Sequence, residues 1–157
     1  MAVTAPALEH VLHLEIEVTA PVEIGDTGAG IRRVVPIAGG TVSGSFAGRV
    51  VPGGADFQLI RRETGDEGVT ELEARYVLES DAGELVYVDN RGLRVASVAD
   101  IARLRRDEPV DPARVYFRTV ARFETAAPRL ARLTSRIHLG VAARHPRAVV
   151  LDVFAVG

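Results

Sequence analysis

The sequence predicts a mainly β protein, a single antiparallel β-barrel of about eight or nine strands with one covering helix. Strand-length segments that alternate apolar and polar residues follow one another through most of the chain, joined by short turns rich in Gly, Asp and Pro. Strands joined that tightly are antiparallel neighbours. Only one segment carries convincing helical spacing, and with so little else to cover the sheet, closure is what removes exposed edges.

The elements follow in order. Leu8 to Val18 places Leu8, Leu12, Leu14, Ile16 and Val18 on one parity and reads as a long first strand ended by Pro21. Gly25 to Gly30 is a glycine-rich loop, but Ile31-Arg32-Arg33-Val34-Val35 follows it as a strand, not as a helix N-terminus, so a phosphate-binding reading fails. From Val34 to Leu59 β-branched residues are interrupted by Gly39-Gly40, Gly44, Gly48 and Gly53-Gly54, the pattern of strands that bulge, bend or approach something closely. Strands are expected near 31–38, 41–51 and 56–62, and the stretch delivers an acid, Asp56, just beyond a flexible glycine pair. Glu63 to Gly68 reads as a hairpin loop.

Val69 to Ser80 sets Leu72, Ala74, Tyr76 and Leu78 against Glu71, Glu73, Arg75 and Glu79; Glu84 to Arg94 sets Val86, Val88 and Asn90 against Leu85, Tyr87 and Asp89. Ser97 to Arg106 is the helix: Ser97 caps it, Asp100 stands three residues on, Val98, Ile101 and Leu104 form the stripe, and Arg103, Arg105 and Arg106 suit its C-terminal turn. Pro109 and Pro112 stop it. Val115 to Thr125 returns to strand, Pro128 to Thr134 suits a short helix, and Arg136 to Arg144 and Ala148 to Val156 are the last strands. The helix is expected to cover one mouth of the barrel.

Composition narrows the chemistry. The 157 residues suit a single domain over 1–157, with hydrophobic and charged fractions of 47% and 25% that match an ordinary globular protein. With no cysteine, disulfides, thiolate zinc sites and a Cys nucleophile are excluded. All 19 basic residues are Arg, which removes Schiff-base and P-loop lysine chemistry. A net charge of −2 without a basic block speaks against nucleic acid, and no apolar stretch reaches membrane-spanning length. The expected setting is cytoplasmic, and the expected partner a small-molecule ligand or substrate, with self-association into a homo-oligomer left open. His10, His13, His138 and His145 make no convincing metal site, since His10 and His13 fall on opposite parities. The serines lack a nucleophile-elbow context.

The candidate catalytic residues are Asp56, Arg118, Asn90 and Tyr116. Asp56 at a barrel mouth is either a general base tuned by burial or a cap on the preceding turn. Arg118 shares a face with Tyr116, an amphipathic pair suited to a pocket wall, and its planar fork suits a carboxylate, enolate or phenolate; the alternative is an ion pair or outward exposure. Asn90 projects an amide from an apolar row, to orient a carbonyl or to bond backbone near Gly92. Arg75, Tyr76, Gln58, Glu124 and Asp152 are placed as substrate-binding residues, although Arg75 sits among glutamates and suits an ion pair. A one-residue slip in register would exchange Arg75 for Tyr76, or Arg118 for Phe117, in the pocket.

Several motifs in order resemble one bacterial and fungal family, domain of unknown function three-two-three-seven: Arg33-Val34-Val35-Pro36-Ile37 with Gly39-Gly40-Thr41-Val42-Ser43-Gly44; Gly48-Arg49-Val50 with Pro52-Gly53-Gly54-Ala55-Asp56; Leu72-Glu73-Ala74-Arg75-Tyr76; Asn90-Arg91-Gly92; Tyr116-Phe117-Arg118-Thr119; Phe123-Glu124-Thr125; Gly140; and Asp152-Val153-Phe154. The resemblance covers nearly the whole chain and implies a calycin-like, lipocalin-resembling barrel. The chain has Phe57 and Phe154 where the family more usually has Trp and Tyr, and Ala142 in place of a second glycine.

Together these features suggest a cofactor-independent enzyme that uses the barrel as an apolar pocket. Its acid–base chemistry would act next to a carbonyl or phenol, of the isomerase, cyclase or lyase/hydratase type, steps that need shape and a few polar groups. The alternative from a different class is a non-catalytic lipocalin-like carrier or sensor. A third is a self-associating barrel with a filled interior.

Overall fold

The computed structural model describes residues 2–62 and 65–157, so part of the Glu63–Gly68 loop lies outside the described residues. Nine strands form one antiparallel sheet: β1 (Leu8–Val18), β2 (Val22–Asp26), β3 (Gly30–Gly44), β4 (Gly48–Arg61), β5 (Glu67–Ser80), β6 (Leu85–Ser97), β7 (Tyr116–Thr125), β8 (His138–His145) and β9 (Ala148–Val156). From β3 to β9 each strand pairs with its successor; β9 pairs with β1, and β1 returns to β3 from Leu12↔Gly44 to Val18↔Ile37. Eight strands thus close a barrel. The ninth, β2, is an addition outside the ring, paired only along the first half of β3 through Val22↔Val34 and Glu23↔Arg33. The residue pattern, Pro21 followed by the glycine-rich 25–30 segment, predicts no strand there.

Three strands had been expected over 31–62, and two are found. The glycine pairs at 39–40 and 53–54 are bulges within continuous strands, where the register shifts between Pro36 and Thr41 and between Val51 and Ala55. The real turn is Ser45-Phe46-Ala47, which the reading had run through as strand; it buries Phe46 at the barrel end. The bulges have a steric reason. A Cβ on Gly40, at φ 138°, would lie 2.0 Å from the Glu15 carbonyl oxygen, so only glycine lets β3 bend onto β1 and close the ring. At Gly54 a Cβ would lie 2.5 Å from the Cβ of Tyr76, so glycine there makes room for an inward tyrosine.

Alternation then sorts the interior. At one end Leu12, Leu14, Val42, Phe46, Val50, Leu78, Val86, Val88, Phe123 and Val153 pack together, closed by Leu130 and Leu133 of a 3-10 helix at Pro128–Ser135. At the other end stands helix α1 (Val98–Arg105). The Ser97 side chain accepts the Asp100 amide at 3.1 Å as the spacing predicts, while the buried Asp100 carboxylate turns away to pair with Arg114 at 2.8 Å. Ile101 and Leu104 pack on Ile60, Ala96 and Val110 as a separate small cluster. Among the described residues, no helix is long and apolar enough to cross a membrane.

Candidate active site

At the α1 end the barrel interior holds a cavity of about 50 Å³. That is room for the centres of about three or four water-sized groups. Its apolar wall is Ile16 and Val18 of β1, Val35 and Ile37 of β3, Leu72 and Ala74 of β5, Phe117 of β7, and Val149 and Leu151 of β9. Asp56, Gln58, Tyr76, Asn90, Arg94, Thr119 and Arg144 interrupt it. Each arrives by strand alternation: Asp56 and Gln58 from β4, Asn90 and Arg94 from β6, Thr119 beside Phe117 from β7.

Asp56 is held by two donors. Its Oδ2 accepts from Gln58 Nε2 at 2.7 Å and its Oδ1 from the Glu73 amide at 3.1 Å. Burial nevertheless pushes its carboxyl above the ordinary aspartate range, against the opposing pull of Gln58, Arg94, the Glu73 amide and Arg33. A carboxylate whose proton affinity is raised this way is suited to exchange protons nearer neutrality.

Arg94 is 3% exposed, and among the described residues it forms no ion pair and its Nε has no hydrogen-bond partner. Its nearest support is the Phe117 ring, 5.6 Å from the guanidinium carbon to the ring centroid. Burial lowers its pKa to about 10, with Asp56 acting in the opposite sense. Around it Gln58 Oε1, Tyr76 Oη, Asn90 Oδ1 and Thr119 Oγ1 are likewise buried without a partner among the described residues. Each such atom costs about 1–3 kcal/mol in a packed core. Five such atoms belong to residues that line one cavity. The Tyr76 hydroxyl is kept protonated, its pKa pushed up by burial.

Arg144 lines the rim of this cavity, its guanidinium donating to Asp107 at 2.8 Å beyond the end of α1 and to the Ala148 carbonyl at 3.1 Å. Arg33, also buried, donates to the Arg105 carbonyl at 3.1 Å and to Glu23 at 3.4 Å. Helix α1 is therefore tied across the mouth at its C-terminal end, where the sequence reading had expected a cover.

Of the residues singled out from sequence, Asp56, Asn90, Tyr76 and Gln58 meet at the cavity. The others do not. On β7 the inward parity belongs to Phe117 and Thr119, so Arg118 and Tyr116 point outward, stacked on each other at 5.2 Å. Glu124 is outside by the same alternation. Arg75 is on the outer face paired with Glu73, the ion pair its neighbours suggested. Asp152 is outside too, its Oδ1 accepting from His10 Nε2 at 2.8 Å and from His13 Nδ1 at 2.9 Å. The two histidines share that outer face because a bulge between His10 and Leu12 reverses the parity on which they had been separated. Phe154 is outside as well, its ring edge-on to His10. Arg94, Thr119 and Arg144 were not singled out. Arg94 had a signal, since it continues the row Val86, Val88, Asn90 with the same parity.

The chain is 47% identical over 135 residues to a UPF0311 protein of Bradyrhizobium diazoefficiens, covering 86% of each. It is similar to the crystal structure of a conserved protein of unknown function from Rhodopseudomonas palustris, at 41% identity and a TM-score of 0.90 with all of both chains covered. A β-barrel-like protein from Acinetobacter baumannii gives 33% identity, a TM-score of 0.84 and 99% coverage of both chains. An enzyme from Penicillium herquei shares the fold, with a TM-score of 0.73 at 16% identity over 100% of this chain and 98% of its own. The sequence pattern described as protein of unknown function DUF3237 matches residues 6–156, and the chain belongs to that family.

Proposed function

We propose that the barrel is a cofactor-independent enzyme of the isomerase, cyclase or lyase/hydratase type, acting on a small, largely apolar carbonyl or phenol metabolite. The observation that carries this reading is the convergence of Asp56 with unpartnered donors and acceptors on one apolar cavity wall. Asp56 takes a proton from carbon or hydroxyl; the charge left behind moves onto an oxygen facing Arg94 and the hydroxyls of Tyr76 and Thr119; the proton returns at another atom. Arg94 takes the part that Arg118 had been expected to play. Gln58 and the Glu73 amide position the Asp56 carboxylate. The fold shared with an enzyme of Penicillium herquei agrees with this reading but supplies no substrate.

The test is native mass spectrometry of gently purified protein beside its Asp56→Asn variant, with identification of whatever is released on denaturation. A molecule trapped by the variant alone supports catalysis; given that molecule as substrate, turnover in the variant should fall at least ~10²-fold. The second reading, a carrier, is favoured by the two hydrogen bonds that already engage Asp56. It predicts the same molecule, unchanged, on both proteins. Under either reading Ala74→Trp, which fills the cavity from β5, should abolish binding.

A further inference from the structure

A second cavity of about 440 Å³ adjoins the first, sharing Val18 and Arg144 with it. Arg33, Arg105, Arg144 and Arg147 line it against a single acid, Asp107. Glu23 stands beside Arg33 and Arg105, at 3.4 and 3.8 Å. Counting it still leaves two positive charges in surplus around this vestibule. Inward of it lies Arg94, whose charge Arg144 and Arg33 both disfavour, as Arg144 does that of Arg33, and Asp56 is a carboxylate that all three feel as a counter-charge. Arg33 Nε, like Arg94 Nε, is buried with no partner among the described residues.

Buried like charges with unfilled donors are costly unless an anion is brought between them. The rim acids Asp107 and Glu23, paired with Arg144 and Arg33, are about two-fifths exposed, and neither pairs with Arg94. The planar fork of an arginine matches a planar, delocalised oxyanion. The inner cavity has room only for a head group, whereas the vestibule, walled by Val18, Pro21 and arginine stems, has room for an apolar body.

Resting on the acid–base pocket described above, we infer that the ligand is an organic anion, a carboxylate or a phenolate or enolate. Its charged group sits at the junction marked by Arg144, between Arg33 and Arg94. Its reacting atom lies beside Asp56 and its apolar body in the vestibule. The positive mouth also speeds capture of such a ligand. An ionised Asp56 repels an anionic ligand, so removing its charge strengthens anion binding.

The experiment compares benzoate with its neutral isostere benzamide by calorimetric titration of the whole protein. The wild type should prefer benzoate at least about tenfold, the ~1.4 kcal/mol of one charge-assisted bond. Arg94→Met, which breaks no side-chain hydrogen bond among the described residues, should bring the ratio near unity, and Asp56→Asn should raise it. Equal binding, or no measurable binding of either probe, overturns the inference, as does a preference that survives Arg94→Met. The wild-type ratio needs no variant to fold. It also needs no turnover, so a protein that prefers benzoate but carries the same unchanged molecule with and without Asp56→Asn would sink the catalytic reading and leave this one standing.

Discussion

The two ends of this barrel are built from the same strands and to opposite ends chemically. Toward the 3-10 helix the inward residues are Leu12, Leu14, Leu78, Val86, Val88 and Val153, each at most 1% exposed and satisfied by packing alone. Two to eight residues further along β5 and β6 the inward positions become Tyr76, Asn90 and Arg94, joined by Thr119 of β7, buried almost as completely but with polar atoms that have no partner among the described residues. A protein selected for stability alone would continue the first pattern. The second is tolerated because the first supplies the cohesion, and the comparison marks the α1 end as the part of the interior that packing alone does not explain.

Four changes break or sharpen that comparison. Leu78→Ala at the apolar end should cost about 2–5 kcal/mol of unfolding free energy in urea titration, since it empties a fully enclosed site. A cost near zero would mean that this end is not the stabilising one. Arg94→Met should act with the opposite sign, stabilising the unliganded protein by about 1–4 kcal/mol, because an unpaired buried charge is exchanged for an apolar chain of similar volume. A destabilised variant would show that Arg94 has a structural partner role.

Asp56→Asn should also stabilise the protein near neutral pH, and the sign follows from linkage. The Asp56 carboxyl has a raised pKa in the folded state, so the native protein binds its proton more tightly than the unfolded chain does. Its contribution is full below the ordinary aspartate value of 3.8 and is lost as pH rises through the raised native value. The gain in the variant should therefore shrink as pH falls toward 3.8, by about 1.4 kcal/mol for each pH unit by which the native value is raised. A pH-independent difference would deny that Asp56 titrates with folding. The smallest effect belongs to the outer wall. Asp152→Asn should cost less than about 1 kcal/mol, because its pairs with His10 and His13 are well exposed. Asp152 and His13 attract each other, raising the His13 pKa, so this small cost should be present at pH values below about 6.5 and fade as His13 loses its proton.

Much of this was legible in the order of residues. The period-2 segments Leu72-Glu73-Ala74-Arg75-Tyr76 and Val86 to Asn90 name their inward faces, and the structure agrees at Ala74, Tyr76 and Asn90. Asp56 stood out because it follows the Gly53-Gly54 bulge, and that bulge does deliver it to the cavity. The segment Tyr116-Phe117-Arg118-Thr119 was ambiguous, since aromatic residues occupy both parities, and the inward face is Phe117 and Thr119. On β1 a single bulge near Val11 carries His10 and His13 to one side, which residue spacing alone had assigned to two.

What the sequence determined by itself is most of the strands outside residues 22–62, the single well-capped helix and the barrel class, because these follow from alternation, turn residues and capping, which act over a few positions. What only the tertiary structure decided is which arginines lie inside. Arg33, Arg94 and Arg144 come from three different strands; Arg94 alone continues an apolar row, and nothing local distinguishes Arg33 and Arg144 from the exposed Arg75 and Arg118. Their inward course depends on register across bulged strands, where one extra residue exchanges the faces of everything beyond it. The pocket's charge is therefore a property of ring closure, set by the pairing of β1 with β3 and the bends at glycine that permit it.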